Sequence, residues 1–343
     1  MSFTHYLKAL ADRDPRVDGL RESEAHALFS AMLDGGIPDL ELGAILATLQ
    51  QRGESPEELI GFLRASAERV YSMEPPGDRL RPIVMPAYGG AREAPNLLPL
   101  LTLLLQRMGI PVLVHGTLEG GGRVAAAYVF RELGVMPSAN LRSAQQALVD
   151  TGLAFVPTAV LSPTLAQLLA LKSRLGMRSS GHLVAKLMDP FGGDSVLMVG
   201  ASSPVKLELL ADALTATGVH ALLLRSCEGE PVSSAVHRPR IDLVSDGSRE
   251  LLFEEENGLG NAVHGLVSVA DAAATATWIR AALAGATPFP HPLVNQLACA
   301  LYACGYTDDM NQAKAIAAVE AGGLTPGSRS GLRSRPVTPA PLR

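Results

Sequence analysis

The sequence predicts an α/β protein: an N-terminal helical domain joined to a larger α/β domain with a mainly parallel sheet. Three observations predict it. Residues 1–72 carry apolar residues at helical spacing and no strand pattern. From Ile83 onward, short apolar runs alternate with helical segments, as parallel strands joined by crossover helices do. Between the two lies MEPPGDRLRP (73–82), a Pro/Gly-rich connector.

The elements follow in order. LRESEAHALFSAMLDGG reads as a helix that stops at Gly35-Gly36. PDLELGAILATLQQRG reads as a second, with Asp39 as N-cap and Gly53 as its end. SPEELIGFLRASAERV opens on Ser55, with Pro56 at the first helical position and Glu58 three residues after the serine, a capping box. IVMPA, PVLVHG, AFVP, VLMVG and ALLLRS read as strands, with helices at 95–108, 123–133, 163–175 and 203–217. RIDLVS and ELLFEE read as a small two-strand addition. Helices at 270–284, 292–304 and 308–320 are expected to pack back on the first domain. The expected units are a helical domain at 1–72, an α/β domain at 83–322, and a disordered basic tail at 323–343. No internal repeat is visible.

Composition narrows the classes. No apolar run reaches the roughly 18 residues of a membrane span, and the N-terminus lacks the pattern of a signal peptide. Cys227, Cys299 and Cys304 fit neither a metal spacing nor a disulfide framework, which points to buried thiols and a cytoplasmic home. The net charge is −5, although the last stretch carries Arg329, Arg333, Arg335 and Arg343 without an acid. The body is therefore acidic, and a polyanion has to meet a local basic patch.

Two stretches carry the functional argument. The first is IVMPAYGGAREAPNLLPLLTLLLQRMGIPVLVHG (83–116), which reads as strand, glycine turn, helix, strand. A glycine turn between strand and helix can point backbone N–H groups at a phosphate. Here Pro86 has no N–H, Tyr88 brings a ring where glycine allows close approach, and Arg92 adds a cation. The second is LKSRLGMRSSGHLVAKL (171–187), which holds Lys172, Arg174, Arg178, His182 and Lys186 and no acid. Arg174, Arg178, His182 and Lys186 are each four apart, so on one helix they would form a stripe of about 18 Å. Gly176 and Gly181 stand against one continuous helix.

GGIPDLELGAILATL (35–49), IVMPAYGGAREAPNLLPLL (83–101), GIPVLVHG (109–116), LGMRSSGHLVAKL (175–187) and EGEPVSS (228–234) together resemble the anthranilate phosphoribosyltransferase family over about residues 5–320. Within it, the chain is most similar to the YbiB-type branch. The resemblance implies the fold shared with pyrimidine nucleoside phosphorylases. It also implies an ancestral site that takes phosphoribosyl pyrophosphate with magnesium and joins anthranilate to the ribose. The family loop GTGGDG, followed after two residues by TFN, falls on Pro86 to Asn96. Gly89 keeps a loop glycine and Asn96 the asparagine, while the aspartate has become Gly90 and the last glycine Ala91. The KHGNR motif falls on Val114 to Leu118, so His115 and Gly116 remain and the lysine and arginine do not. The glycine turn EGGGRV (119–124), with Arg123, follows. Ser162-Pro163 and Lys172 stand where the family places a histidine-proline pair and the arginine for the substrate carboxylate. Pro231-Val232 fall on the magnesium-binding acid pair. Glu228 and Glu230 nearby read as solvated loop acids.

These losses imply a catalytically degenerate protein with no metal and no cofactor. Its ancestral donor pocket is Gly89, Gly90, Arg92, Asn96, His115 and Gly116. The branch further implies a homodimer that binds DNA or RNA without sequence preference, here through Lys172, Arg174, Arg178, His182 and Lys186. The alternative is an active glycosyl or phosphoribosyl transferase with an unknown acceptor. In that case magnesium and phosphoribosyl pyrophosphate would return to the pocket and Lys172 would approach the acceptor.

Overall fold

The computed structural model describes residues 3–11, 19–77, 79–257, 266 and 270–323. Four helices come first: α1 (Thr4–Ala11), α2 (Glu22–Leu33), α3 (Asp39–Arg52) and α4 (Pro56–Ala67). Helices α2 and α4 pack closely because Gly61 lets them; a Cβ there would stand 2.4 Å from the Glu22 carbonyl oxygen. Phe29 and Phe62 stack across the contact at 4.8 Å. The capping box at Ser55 and Glu58 forms as expected, with both reciprocal hydrogen bonds present. Glu58 also accepts from Arg52 and from the Leu20 N–H, which accounts for a fully buried carboxylate. Asp39 is the first helical residue rather than the cap. Pro38 holds the cap position, and Asp39 places its charge in the first turn, where the helix dipole favours it.

The α/β domain runs β1 (Ile83–Ala87), α5 (Leu98–Arg107), β2 (Val112–Gly116), α6 (Ala126–Glu132), α7 (Leu141–Thr151) and β3 (Leu153–Pro157). Short helices follow: α8 (Thr158–Leu161), α9 (Pro163–Ala170), α10 (Lys172–Leu175) and α11 (Ser180–Ala185). Then come β4 (Val196–Ala201), α12 (Pro204–Thr217), β5 (Ala221–Arg225), β6 (His237–Arg238), β7 (Ile241–Ser245), β8 (Ser248–Phe253) and β9 (Glu256–Asn257). Helices α13 (Ala272–Leu283), α14 (His291–Ala303) and α15 (Met310–Gly323) close the described chain. The sheet order is β3-β2-β1-β4-β5-β7-β8, parallel through β5. RIDLVS and ELLFEE do pair with each other, but as β7 and β8 they extend the main sheet antiparallel from β5. Of the expected tail at 323–343, Gly323 is the last residue of α15, and 324–343 lie outside the described residues.

Successive residues of β1 face opposite cores. Val84 joins the core made with α1–α4, α9, α11 and α12, while Ile83 and Met85 join the one made with α5, α6, α13, α14 and α15. This corrects the expected return of the C-terminal helices to the first domain. A parallel sheet needs cover on both faces, and the helical domain helps to cover one, so α13–α15 cover the other. Among the described residues no helix is long and apolar enough to cross a membrane. Cys299 and Cys304 are buried and Cys227 half-buried, all as free thiols.

Candidate anion site and its cation rim

The loop after β1 leaves the carboxyl end of a parallel strand, where open α/β sheets place their ligands. Tyr88 turns inward and is buried. Its hydroxyl lies 2.9 Å from both His115 Nδ1 and Thr158 Oγ1. Thr158 already donates to the Gly116 carbonyl at 3.0 Å. Thr158 must then accept the tyrosine proton, and His115 must donate from Nδ1, leaving Nε2 as a bare lone pair. That Nε2 is buried with no partner. Burial pushes the His115 pKa down to about 3, so the ring is neutral, and burial holds the Tyr88 phenol protonated. Gly116 is required because β1 passes so close: a Cβ there would lie 2.1 Å from the Ala87 oxygen.

The amides of the loop point at carboxylates of the chain itself. Gly90 N–H donates to Glu230 Oε1 at 2.7 Å, with Gly89 N–H adding a contact and Asn96 Nδ2 at 3.5 Å. The N–H groups of Arg92, Glu93 and Ala94 all donate to Glu228, the last two at 2.9 and 2.8 Å. Both acids come from one tight turn, in which Glu230 N–H closes on the Cys227 carbonyl at 3.0 Å. Glu228 and Gly229 occupy its left-handed positions at φ 51° and 97°. The reading of these two as solvated loop acids is thereby corrected: Glu230 is only 2% exposed. Burial raises its pKa, against the Gly90 amide and the Lys186 charge that favour the ionised form.

Cations surround this loop. Arg178 donates to the Tyr88 carbonyl at 3.0 Å and to that of Gly89 at 3.4 Å. Arg123 donates to the carbonyls of Gly90 and Glu228, each at 3.3 Å, and so ties the two loops together. The adjoining segments are pinned by paired hydrogen bonds between Ala91 and Val124 at 2.9 and 2.7 Å. Lys172 stands close enough to Arg178 and Arg123 that, after its partial burial, their charges lower its pKa. Arg178 is likewise lowered by burial and by Arg123. Among the described residues, none of Arg123, Lys172 and Arg178 forms an ion pair with an acid.

The pocket residues Gly89, Gly90, Asn96, His115 and Gly116 are thus brought together, with Arg92 exposed at the edge. The basic window is not. Helix α10 ends at Gly176 in a left-handed turn and α11 begins only at Ser180, so no single helical face exists. Arg174 faces solvent and pairs with Asp39 at 2.8 Å. His182 is buried, accepts from the Ser179 N–H and has its pKa lowered to about 4 by burial and by Arg178. Lys186 points inward to the Gly200 carbonyl at 2.8 Å, with its pKa lowered to about 8, chiefly by burial. Lys172 and Arg178 alone of the five join a cation cluster, and their third member, Arg123, came from a different motif. Sequence reasoning missed the amide contacts of Glu228 and Glu230. The Glu-Gly step at a tight turn was the available signal, but which loop it faced was not.

A glycosyl transferase family helical bundle domain matches residues 4–70. The anthranilate phosphoribosyltransferase of Thermus thermophilus superposes with a TM-score of 0.72 at 23% identity, covering 92% of this chain and 94% of that one. The Saccharomyces cerevisiae enzyme, in a complex with PRPP and Mg, gives 0.70 at 12% identity over 94% and 93%. The fold is therefore that of the anthranilate phosphoribosyltransferases. The uncharacterized protein YbiB of Escherichia coli (strain K12) is 34% identical over 306 residues, 89% of this chain and 95% of that protein. The anthranilate phosphoribosyltransferase of Novosphingobium aromaticivorans is 27% identical over 85% and 89%. The chain belongs to the YbiB-type branch of the anthranilate phosphoribosyltransferase family.

Proposed function

We propose that this protein no longer carries out the ancestral transfer and binds nucleic acid, without sequence preference, through the cations beside the old donor loop. The observation that carries the reading is the cluster of Arg123, Lys172 and Arg178. Burial first, and then the neighbouring cations, lower the pKa of Lys172 and of Arg178, and among the described residues no acid is paired to any of the three. A backbone phosphate relieves that repulsion, and phosphate contacts by Lys and Arg suffice for binding that ignores sequence. Exposed Arg92 and Arg174 extend the field. His182 and Lys186 lie behind this surface as buried groups: Lys186 ties the end of α11 to Gly200 of β4, and His182 accepts from the N-cap of its own helix. In this reading the protein is a cytoplasmic homodimer paired through its helical domain, where Leu40 of α3 is 83% exposed.

The test is a labelled oligonucleotide followed by fluorescence polarisation across a salt series. Binding is expected to weaken steeply with salt. Lys172→Glu together with Arg174→Glu should weaken it for every sequence and flatten the slope by about 0.9 for each duplex phosphate no longer neutralised. Sequence-independent affinity that ignores both salt and these substitutions would remove the reading.

A further inference from the structure

The family's donor, a diphosphate carried with magnesium, does not fit the loop as this chain builds it. The amides that would face its oxygens already have partners, and Pro231 and Val232, which cannot ligate a cation, stand where the family has its acid pair. We infer that the 227–230 turn is an internal stand-in for that ligand. The carboxylates of Glu230 and Glu228 fill two anion positions of an amide cradle that is still intact, and so close it to free phosphate and diphosphate. This accounts for the silent donor site without depending on whether the rim binds nucleic acid.

Three independent features mark the closure as built. The two loops meet through glycines. A Cβ on Gly89 would lie 2.6 Å from the Gly229 carbonyl carbon and 2.8 Å from Glu230 N, so only glycine allows the turn to seat. Glu228 holds a left-handed conformation that L-residues disfavour, and in return one carboxylate takes three consecutive N–H groups. Glu230 stays buried although its Oε2 has no partner, because Oε1 is held by Gly90 and Lys186 lies near. A carboxylate and a phosphoryl group ask the same of such a cradle: several amides converging on one anionic oxygen pair. The cradle retains that chemistry, and the chain supplies the anion.

The experiment opens the cradle without disturbing the turn. Glu228→Gly removes the carboxylate while suiting the positive φ. Inorganic pyrophosphate, with and without magnesium, is then titrated by calorimetry into the wild type and into this variant, each checked as folded by its thermal transition. The wild type is expected to show no saturable binding. The variant is expected to bind saturably, at least about tenfold more tightly than the weakest affinity the titration can detect, since charge-assisted amide contacts become available to the ligand. Equal affinity in the two proteins overturns the inference, and so does a folded variant that binds no better than the wild type. Amide hydrogen exchange on the wild type provides a check that needs no variant: residues 90 and 92–94 should be protected, and exchange at open-loop rates would also overturn it. Oligonucleotide binding, followed in parallel, reports on the rim alone.

Discussion

The donor loop and the cation rim touch, yet they are balanced in opposite ways. In the loop at 89–94, amides meet carboxylates that the same chain delivers from the turn after β5, and the anion demand is met from within. On the rim, Arg123 and Arg178 donate to carbonyl oxygens, Lys172 lies beside them, and among the described residues none of the three forms an ion pair with an acid. Glu228 and Glu230 accept from backbone N–H groups, and Glu230 reaches Arg178 through its charge alone, without an ion pair. On the proposed reading, the site keeps its electropositive character because the carboxylates that replace the ligand sit inside the cradle and not at its mouth.

The sharpest way to break this contrast is to separate the two loops. Gly89→Ala puts a methyl group into the backbone of Gly229 and Glu230, where neither neighbour is a flexible side-chain end. Overpacking of this kind costs about 1–3 kcal/mol, and backbone contacts favour the upper end. Denaturant unfolding should show the loss in the midpoint with little change in slope. An unchanged midpoint would mean that the loops are not interlocked.

The next effect concerns the neutral histidine beneath the loop. His115 has its pKa lowered to about 3 in the fold, against 6.5 for the free side chain. A group depressed in this way stabilises above its unfolded pKa, and that stability is lost as pH falls. By linkage, one such histidine removes about 2 kcal/mol between pH 7 and pH 5. His115→Leu should therefore flatten the stability profile over that interval by about this amount relative to the wild type. Comparing the two profiles cancels the opposing contribution of Glu230, whose pKa is raised. Parallel profiles would show that the fold does not lower the His115 pKa.

The parts of this molecule that were legible in the sequence are those set by local rules. The capping box at Ser55–Glu58 can be read from its own few residues. The five parallel strands follow from apolar runs that both cores require. The placement of the C-terminal helices was not legible, since an amphipathic helix does not say which face of a sheet it covers. The site divides in the same way. The spacing of Gly89, Gly90 and Asn96 announced a loop, but Glu228 and Glu230 reach it across more than 130 residues of chain. No periodicity carries that pairing. The basic window shows the converse, where a regular spacing of four promised one face and Gly176 broke it. Inward-facing His182 and Lys186 could be told from Arg174 only once burial was known.

The smallest effect sharpens the comparison from the rim side. Arg174 and Asp39 form an ion pair at 2.8 Å with side chains 65% and 76% exposed. An exposed pair of this kind contributes about 0.5 kcal/mol or less, and salt screens it further. Arg174→Ala should leave the thermal transition almost unmoved. If Arg174 meets phosphate, the same substitution should still weaken oligonucleotide binding measurably at low salt, because an exposed pair gives up its arginine to a polyanion at little cost. A large loss of stability, with binding unaffected, would place Arg174 in the scaffold that joins α3 to α10 and take it out of the rim.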